Sequence, residues 1–424
     1  MNKLLKSSQT SARSAGWEFL RDGGEPAFLI SATIQFAGHL AGHVARSINS
    51  AKSIPRSLPT GSAWILRPMA GRATQIDGLR AFAMLGVACV HWLPRDLRGP
   101  FPFELGLFYF LVLTGYLITG ALLRDRDRGE ASGQPWKGAA MKQFQLRRGL
   151  RILAPYYAAV AFAMLMGAHD IRTALPWYLF QGSNIHMALT GWPDFTAHFW
   201  SLAAQHQFYV LWPFVIWWLP KRWLPGVMIA FVAIAPISRT FSPMLKPWFM
   251  MPDLLPSFAC DYLGLGGLLA LAVHRGLAFD HPGLRRATWL SFFGYAILYG
   301  FNEAGRTIPG LQVIQQTLLS IACCGVIAAA SKGFQDWRGV ILDHPAIQHL
   351  GRISYSLYLF HNLSPLLAGK ILPWLWWNPW FEHGLGFAIR ISVFALLAWL
   401  LGWLCWRFIE VPMQGMKARL GNAS

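Results

Sequence analysis

Long apolar runs alternate with short polar connections over most of this chain. The runs lie at roughly 77–94, 103–123, 152–168, 203–220, 223–240, 257–274, 287–302, 310–331, 353–372 and 387–407. A helix crosses a bilayer with about 20 apolar residues, and about 17 is the lower limit. The pattern therefore predicts an all-α membrane protein with about ten transmembrane helices. A shorter run, Ala174–Phe180, is too brief to span and is expected to be interfacial or re-entrant. Residues 1–75 contain no spanning run and read as a cytoplasmic extension, with an interfacial amphipathic helix expected between Phe28 and Ile48. Met1 to Leu5 is too short for the core of a signal peptide. Residues 76–412 form the membrane domain in this reading, and 413–424 a short cytoplasmic tail.

Composition agrees with the pattern. The chain is 54% hydrophobic and 13% charged, with 21 Trp and 29 Phe, whereas a soluble domain carries about 25% charged residues. A net charge of +18 would suit nucleic acid if the cations formed one face. Here they fall between apolar runs, which argues against a nucleic-acid partner. A cytoplasmic N-terminus puts most of the 37 Lys and Arg on the inner side, as the positive-inside rule requires. The connection Arg124–Arg151 alone holds eight of them, and the outer stretch His169–Ala203 holds only Arg172. An even number of spans then leaves both termini in the cytoplasm. Cys89, Cys260, Cys323, Cys324 and Cys405 all lie in apolar segments without a C-x-x-C pair, so they read as buried core residues and suggest no metal site.

Polar positions inside apolar runs carry the chemistry, because ionisable groups at membrane depth are costly and face a cavity or a partner. Arg80 and His91 share the first run. Eleven residues at 100° each bring them back to one helix face, roughly 16 Å apart along the axis. Arg80 falls toward the cytoplasm and His91 toward the outer face. Arg147, Arg148 and Arg151 close the basic inner loop ahead of Pro155 and Tyr156. Pro155 lacks an N–H and loosens the helix at the Arg151 carbonyl. These arginines either set topology and touch lipid headgroups or clamp the phosphates of a cytoplasmic ligand, for which guanidinium forks are suited. Gly115 and Gly120 allow close helix approach. His198, Trp200, Ser201, Gln205, His206, Gln207 and Tyr209 gather polar groups at the mouth of the fourth span, where substrate hydrogen bonding is favoured over a metal. Asp261 opens the sixth span and either binds substrate or pairs with an intramembrane arginine.

These pieces together resemble the acyltransferase-3 family of integral membrane acyltransferases. The resemblance rests on Asp77-Gly-Leu-Arg80 with His91, the aromatic run through Gly115, and Arg147-Arg148-x-x-Arg151-Ile-x-x-Pro155-Tyr156. It continues through Trp200-Ser201-Leu202 to Gln207-Phe208-Tyr209, Asp261 with its glycines, Gly351-x-Ile-Ser354-Tyr355-x-Leu-Tyr358 and Ile409-Glu410-x-Pro412. The resemblance implies transfer of an acyl group, with acetyl expected, from a cytoplasmic acyl-CoA to a hydroxyl on a carbohydrate or glycoconjugate. The setting it implies is a bacterial inner membrane. It makes Arg80 and His91 the essential pair and Arg147, Arg148, Arg151 and Tyr156 the donor-binding residues. Trp200, Ser201, Gln205, His206, Gln207, Tyr209 and Asp261 are the expected substrate-binding residues. No permanently bound cofactor is expected: acyl-CoA enters as a substrate, and the bilayer and the acceptor are the other partners. No soluble esterase-like domain is expected after the last span.

One position departs from the family pattern. The family usually has Glu where Gln205 stands, and Gln keeps size and hydrogen bonding but holds no charge and takes no proton. His206 is the neighbouring candidate to substitute for it. A transporter or channel for a lipid-linked sugar or small anion would also fit ten spans, intramembrane charges and a basic inner face. The lack of detectable inverted repeats with paired broken helices, together with the ordered motifs, favours the enzyme.

Overall fold

A computed structural model describes residues 74–306 and 310–421 of the chain. The expected amphipathic helix between Phe28 and Ile48 lies outside the described residues. Those described are helical, with no strand among them. The longer helices are α1 (Thr74–Trp92), α2 (Leu105–Ala131), α3 (Lys137–Arg148), α4 (Ala154–Leu165), α5 (His169–Leu179), α6 (Ser183–Thr190), α7 (Phe199–Trp218) and α8 (Leu224–Leu245). They continue with α9 (Cys260–His274), α10 (Pro282–Glu303), α11 (Gln312–Lys332), α12 (Pro345–Phe360), α13 (Ser364–Ile371), α14 (Gly384–Cys405) and α15 (Val411–Gly421). Five segments among the described residues are long and apolar enough to cross a membrane: Leu105–Ala131, Leu224–Leu245, Pro256–His274, Gln312–Lys332 and Gly384–Met416. Asp77, Arg80 and His91 in α1, and Gln205, His206 and Gln207 in α7, lower the apolarity of those two helices.

Helix α2 is the hub, packed against α1, α7, α9 and α11. Its crossing with α9 is very close. A Cβ on Gly115 would collide with the Leu263 carbonyl, and one on Gly266 with the Val112 carbonyl. Close backbone approach of this kind is how helices associate where lipid removes the hydrophobic drive. Gly120 has only ordinary contacts. The apolar run predicted α2 to end near 123, yet the helix continues to Ala131. Ion pairs at helical spacing support the extension: Arg126 to Glu130 at 2.6 Å and Arg128 to Asp125 at 3.5 Å. Arg126 also donates to the carbonyls of Ile216 and Leu219 at the end of α7. Lys221 pairs with Asp127 and Glu130, and these carboxylates raise its ammonium pKa.

Two predicted spans are not regular helices. A π-helical turn, Gly149–Leu153, joins α3 to α4 just ahead of Pro155, where the missing N–H was expected to loosen the helix. The Ile152 carbonyl there accepts from the Tyr355 hydroxyl at 2.7 Å. The run at 353–372 is broken between Phe360 and Ser364. Pro365 opens α13, and the His361 carbonyl accepts from the Trp92 indole at 3.0 Å and from Ser364 Oγ at 2.8 Å.

The run Ala174–Phe180 forms the end of α5 in a helical hairpin with α6, which turns at Gln181. Gln181 has φ 57°, the one non-glycine positive φ among the described residues. Side chains satisfy the carbonyls at this tip. Tyr156 donates to Tyr178 O at 3.0 Å, Tyr157 to Leu179 O at 2.8 Å, and Gln207 to Gln181 O at 2.9 Å.

Buried charge is likewise paired. Asp261, fully buried, takes both guanidinium nitrogens of Arg239 at 2.7 and 3.0 Å, and Thr317 and the Tyr262 N–H complete its shell. Breaking a buried pair from one side typically costs about 3–5 kcal/mol, whereas replacing both partners with apolar groups is often neutral. Arg239→Met should therefore strongly lower the thermal midpoint of the protein purified in detergent. Arg239→Met combined with Asp261→Leu should restore most of it.

Candidate active site

The expected site residues converge on a cleft between α1, α2, α7, α12 and the π-helical turn. It encloses about 130 Å³ and is lined by Arg80, Thr114, Arg148, Arg151, Gln205, Tyr209, Ser354, Tyr355 and Tyr358, with Leu107, Phe110, Leu113, Leu117, Ile118, Ile152 and Leu202 as apolar wall. Arg80 is held by Asp77 one turn earlier, at 3.0 Å. Arg148 lies over the rings of Phe144 and Tyr209. Gln205 Oε1 accepts from Thr114 at 3.0 Å and from the Tyr209 hydroxyl at 3.4 Å. The amide therefore stands as a neutral acceptor among three arginines.

A second cavity of about 190 Å³ adjoins the first. Arg124, Arg128, Arg147, Arg148 and Arg151 line it, with Asp125 as its one carboxylate. Arg148 and Arg151 line both cavities. A basic mouth thus passes into an inner cleft with mostly apolar walls, through a pair of guanidinium groups. Arg124 and Arg128, one turn apart on the charged extension of α2, were not singled out by sequence because that extension reads as a loop.

Tyr358 closes the inner end of the cleft. Its hydroxyl meets Ser201 Oγ at 2.7 Å and donates to the His198 carbonyl at 3.2 Å. Beyond it stand His198 and His361, with ring centroids 5.7 and 5.3 Å from that of Tyr358. His91 follows, 5.0 Å from His361. Arg80 is therefore in the cleft wall, while His91, an exposed residue at the far end of α1, lies past Tyr358 with its ring against that of His361. Arg98 in the next turn is its charged neighbour. The two expected essential residues share an inward stripe of α1 with the buried Asp77, Met84 and Ala88, but Tyr358 stands between them. Among the described residues no three His, Cys, Asp or Glu side chains are arranged to hold a metal ion.

The remaining expected residues lie elsewhere. Tyr156 is buried with its hydroxyl on Tyr178, and does not line the cleft. Trp200 packs half-buried against the apolar cluster around Phe199. Asp261 is occupied by Arg239. Gln207 exchanges amide hydrogen bonds with Asn184 in addition to its bond to Gln181. His206 lines a separate groove with Tyr157, Phe180 and Leu211, so it does not stand in for a carboxylate beside Gln205 in the main cleft. His361 was missed as a site residue, although Ser354, Tyr355, Tyr358 and His361 form a polar stripe at helical spacing that the sequence displays.

A family model described as an acyltransferase domain, acyltransferase-3, matches residues 74–407. The chain belongs to this family. Among its relatives is a protein of Staphylococcus aureus (strain COL) named "Putative O-acetyltransferase", 31% identical over 383 residues covering 81% of this chain and 58% of the relative. The peptidoglycan O-acetyltransferase OatA of Listeria monocytogenes is 25% identical over 378 residues, 80% of this chain and 55% of the relative. The O-acetyltransferase OatA of Staphylococcus aureus (strain NCTC 8325) is 26% identical over 376 residues, with shares of 81% and 58%. The aligned region thus spans little more than half the length of these relatives. No solved structure matches. Family membership and the five apolar segments make this a multi-pass membrane protein.

The family's substrate positions need not all touch substrate. Gln207→Leu removes donors from the Gln181 carbonyl and from Asn184, and leaving buried polar groups unpaired costs about 1–3 kcal/mol. The expected outcome is a lower thermal midpoint in detergent with an unchanged KM for acyl donor, read from melting curves and initial rates.

Proposed function

We propose that this protein is an O-acyltransferase that moves an acyl group, acetyl in the first instance, from cytoplasmic acyl-CoA to a hydroxyl of a cell-envelope carbohydrate or glycoconjugate. It works at or beyond the outer face of a bacterial inner membrane, with ten spans and both termini in the cytoplasm. The observation that carries the reading is the sharing of Arg148 and Arg151 between the arginine-lined mouth and the inner cleft. Guanidinium groups match phosphate oxygens in pairs, and the cleft beyond them suits an uncharged arm ending in a thioester. The names of the relatives support acetyl as the group and a glycan as the acceptor.

In this mechanism Arg124, Arg128, Arg147, Arg148 and Arg151 hold the phosphates of the donor. Arg80, kept in place by Asp77, anchors the arm within the cleft. Arg80 and His91 are roughly 16 Å apart along α1, so the arm must be extended and its acyl end must pass Tyr358. His91 takes the proton from the acceptor hydroxyl as the oxygen bonds to the thioester carbonyl carbon. The carbon–sulfur bond then breaks, and the departing thiolate recovers the proton from the imidazolium. An imidazole suits this exchange because one ring nitrogen can accept a proton while the other keeps its own, and general-base assistance is worth about 10²–10⁴-fold.

Reconstitution into liposomes supplied with labelled acetyl-CoA tests the reading. Acyl transfer or thioester cleavage is expected, and solute flux without either would point to a transporter. His91→Gln should lower transfer by about 10²–10⁴-fold, whereas retained transfer would remove His91 from the base role. Arg148→Ala and Arg151→Ala should each raise the KM for acetyl-CoA by about tenfold, the equivalent of one charge-assisted contact. The effect should weaken at high salt.

A further inference from the structure

Three imidazoles form a row at the far end of α1. The ring centroid of His361 lies 5.0 Å from that of His91 and 4.9 Å from that of His198, both edge to face. His361 and His198 are 0% and 1% exposed. Each has one ring nitrogen on a backbone carbonyl: His361 Nδ1 on Tyr358 O at 2.6 Å, and His198 Nε2 on Leu359 O at 3.0 Å. A carbonyl only accepts, so in neutral rings these bonds place the proton on Nδ1 of His361 and on Nε2 of His198. Both carbonyls belong to the last turn of α12, where intrahelical partners run out. The break after Phe360 therefore sets both tautomers.

The opposite nitrogens, His361 Nε2 and His198 Nδ1, are buried and have no hydrogen-bond partner. Unpaired buried acceptors are uncommon, and each calls for a physical explanation. We propose that His361, backed by His198, is a positioning residue for His91. This rests on His91 being the base. His91 stands at the helix end with its ring edge to face on that of His361, so the ring can turn an N–H toward the Nε2 lone pair of His361. When His91 has taken the acceptor's proton, both of its nitrogens carry hydrogen, and His361 accepts one of them while the other faces the reacting oxygen. The proton stays on His91 until it passes to the donor's thiolate. His361 and His198 neither gain nor lose one. Fixing an imidazole through its second nitrogen is a general way to keep a base aligned.

The test uses full-length protein in inside-out membrane vesicles from the expressing cells, which supply their own acceptor, with radiolabelled acetyl-CoA as donor. His361→Asn keeps a donor for the Tyr358 carbonyl and removes the Nε2 lone pair. His361→Gln places an acceptor oxygen near that lone pair. The expected result is a loss of about a hundredfold in kcat for His361→Asn, within the range of a general-base contribution, at an unchanged KM for acetyl-CoA and with a displaced acidic limb of the pH–rate profile. His361→Gln should recover at least tenfold of that loss. A full rate and unshifted profile in His361→Asn would overturn the proposal. So would equal losses in both variants with a raised KM, which would mark His361 as packing alone. Retained transfer in His91→Gln would defeat the base assignment itself. An inactive His91→Gln beside a fully active His361→Asn would defeat only the positioning role.

Discussion

Without water to turn to, every backbone carbonyl and every charge at membrane depth must find its partner within the protein. That constraint organises this molecule more than apolar packing does. It explains why two tyrosine hydroxyls and a glutamine amide cap the hairpin tip at Gln181, and why an indole and a serine attend the carbonyl of His361. It also explains the closed shell around Asp261. Irregular backbone is present where polar side chains are in reach to complete it. The candidate cleft is bounded by these irregular places: the π-helical turn on one side and the end of α12 on the other.

The cleft divides labour along one axis. At its mouth the arginines of α2, α3 and the π-helical turn gather positive charge with a single carboxylate among them. Farther in, aromatic and aliphatic side chains replace them, and Arg80 is the last guanidinium in the wall. Tyr358 then separates that compartment from the imidazoles. In the proposed reaction a charged donor and a hydrophilic acceptor approach from opposite ends of this axis and meet at His91.

Much of this was legible in the sequence, and what was not has definite causes. The stripe joining Arg80 to His91 follows from helical geometry alone, and the structure puts Arg80 in the cleft wall and the His91 ring against His361. Loosening at Pro155 was readable because a missing N–H has a fixed consequence. The break at 361–363 was not read, although His361, Asn362, Ser364 and Pro365 mark it, because apolar residues on both sides carry the run at 353–372 across it. Family position put Gln207, Tyr156 and Asp261 among the ligand-binding residues, but their partners lie across a connection on the neighbouring helix, 22 to 26 residues away, and no single-chain pattern names Arg239 as the mate of Asp261. The extension of α2 past residue 123 escaped for a similar reason. Hydropathy sees where a helix leaves lipid, not where ion pairs let it continue.

The π-helical turn has a consequence for the tolerance of this segment to change in length. By holding one residue more than a regular turn, it fixes the rotational phase between the arginines before it and the helix after it. Deleting a residue within Gly149–Leu153 would swing Arg147 and Arg148 by about 100° around the axis relative to Tyr156, turning them from the shared mouth toward lipid. The spacing from Arg148 to Pro155 is thus a mechanical setting as much as a motif, and variation in loop length is better accommodated upstream of Lys137.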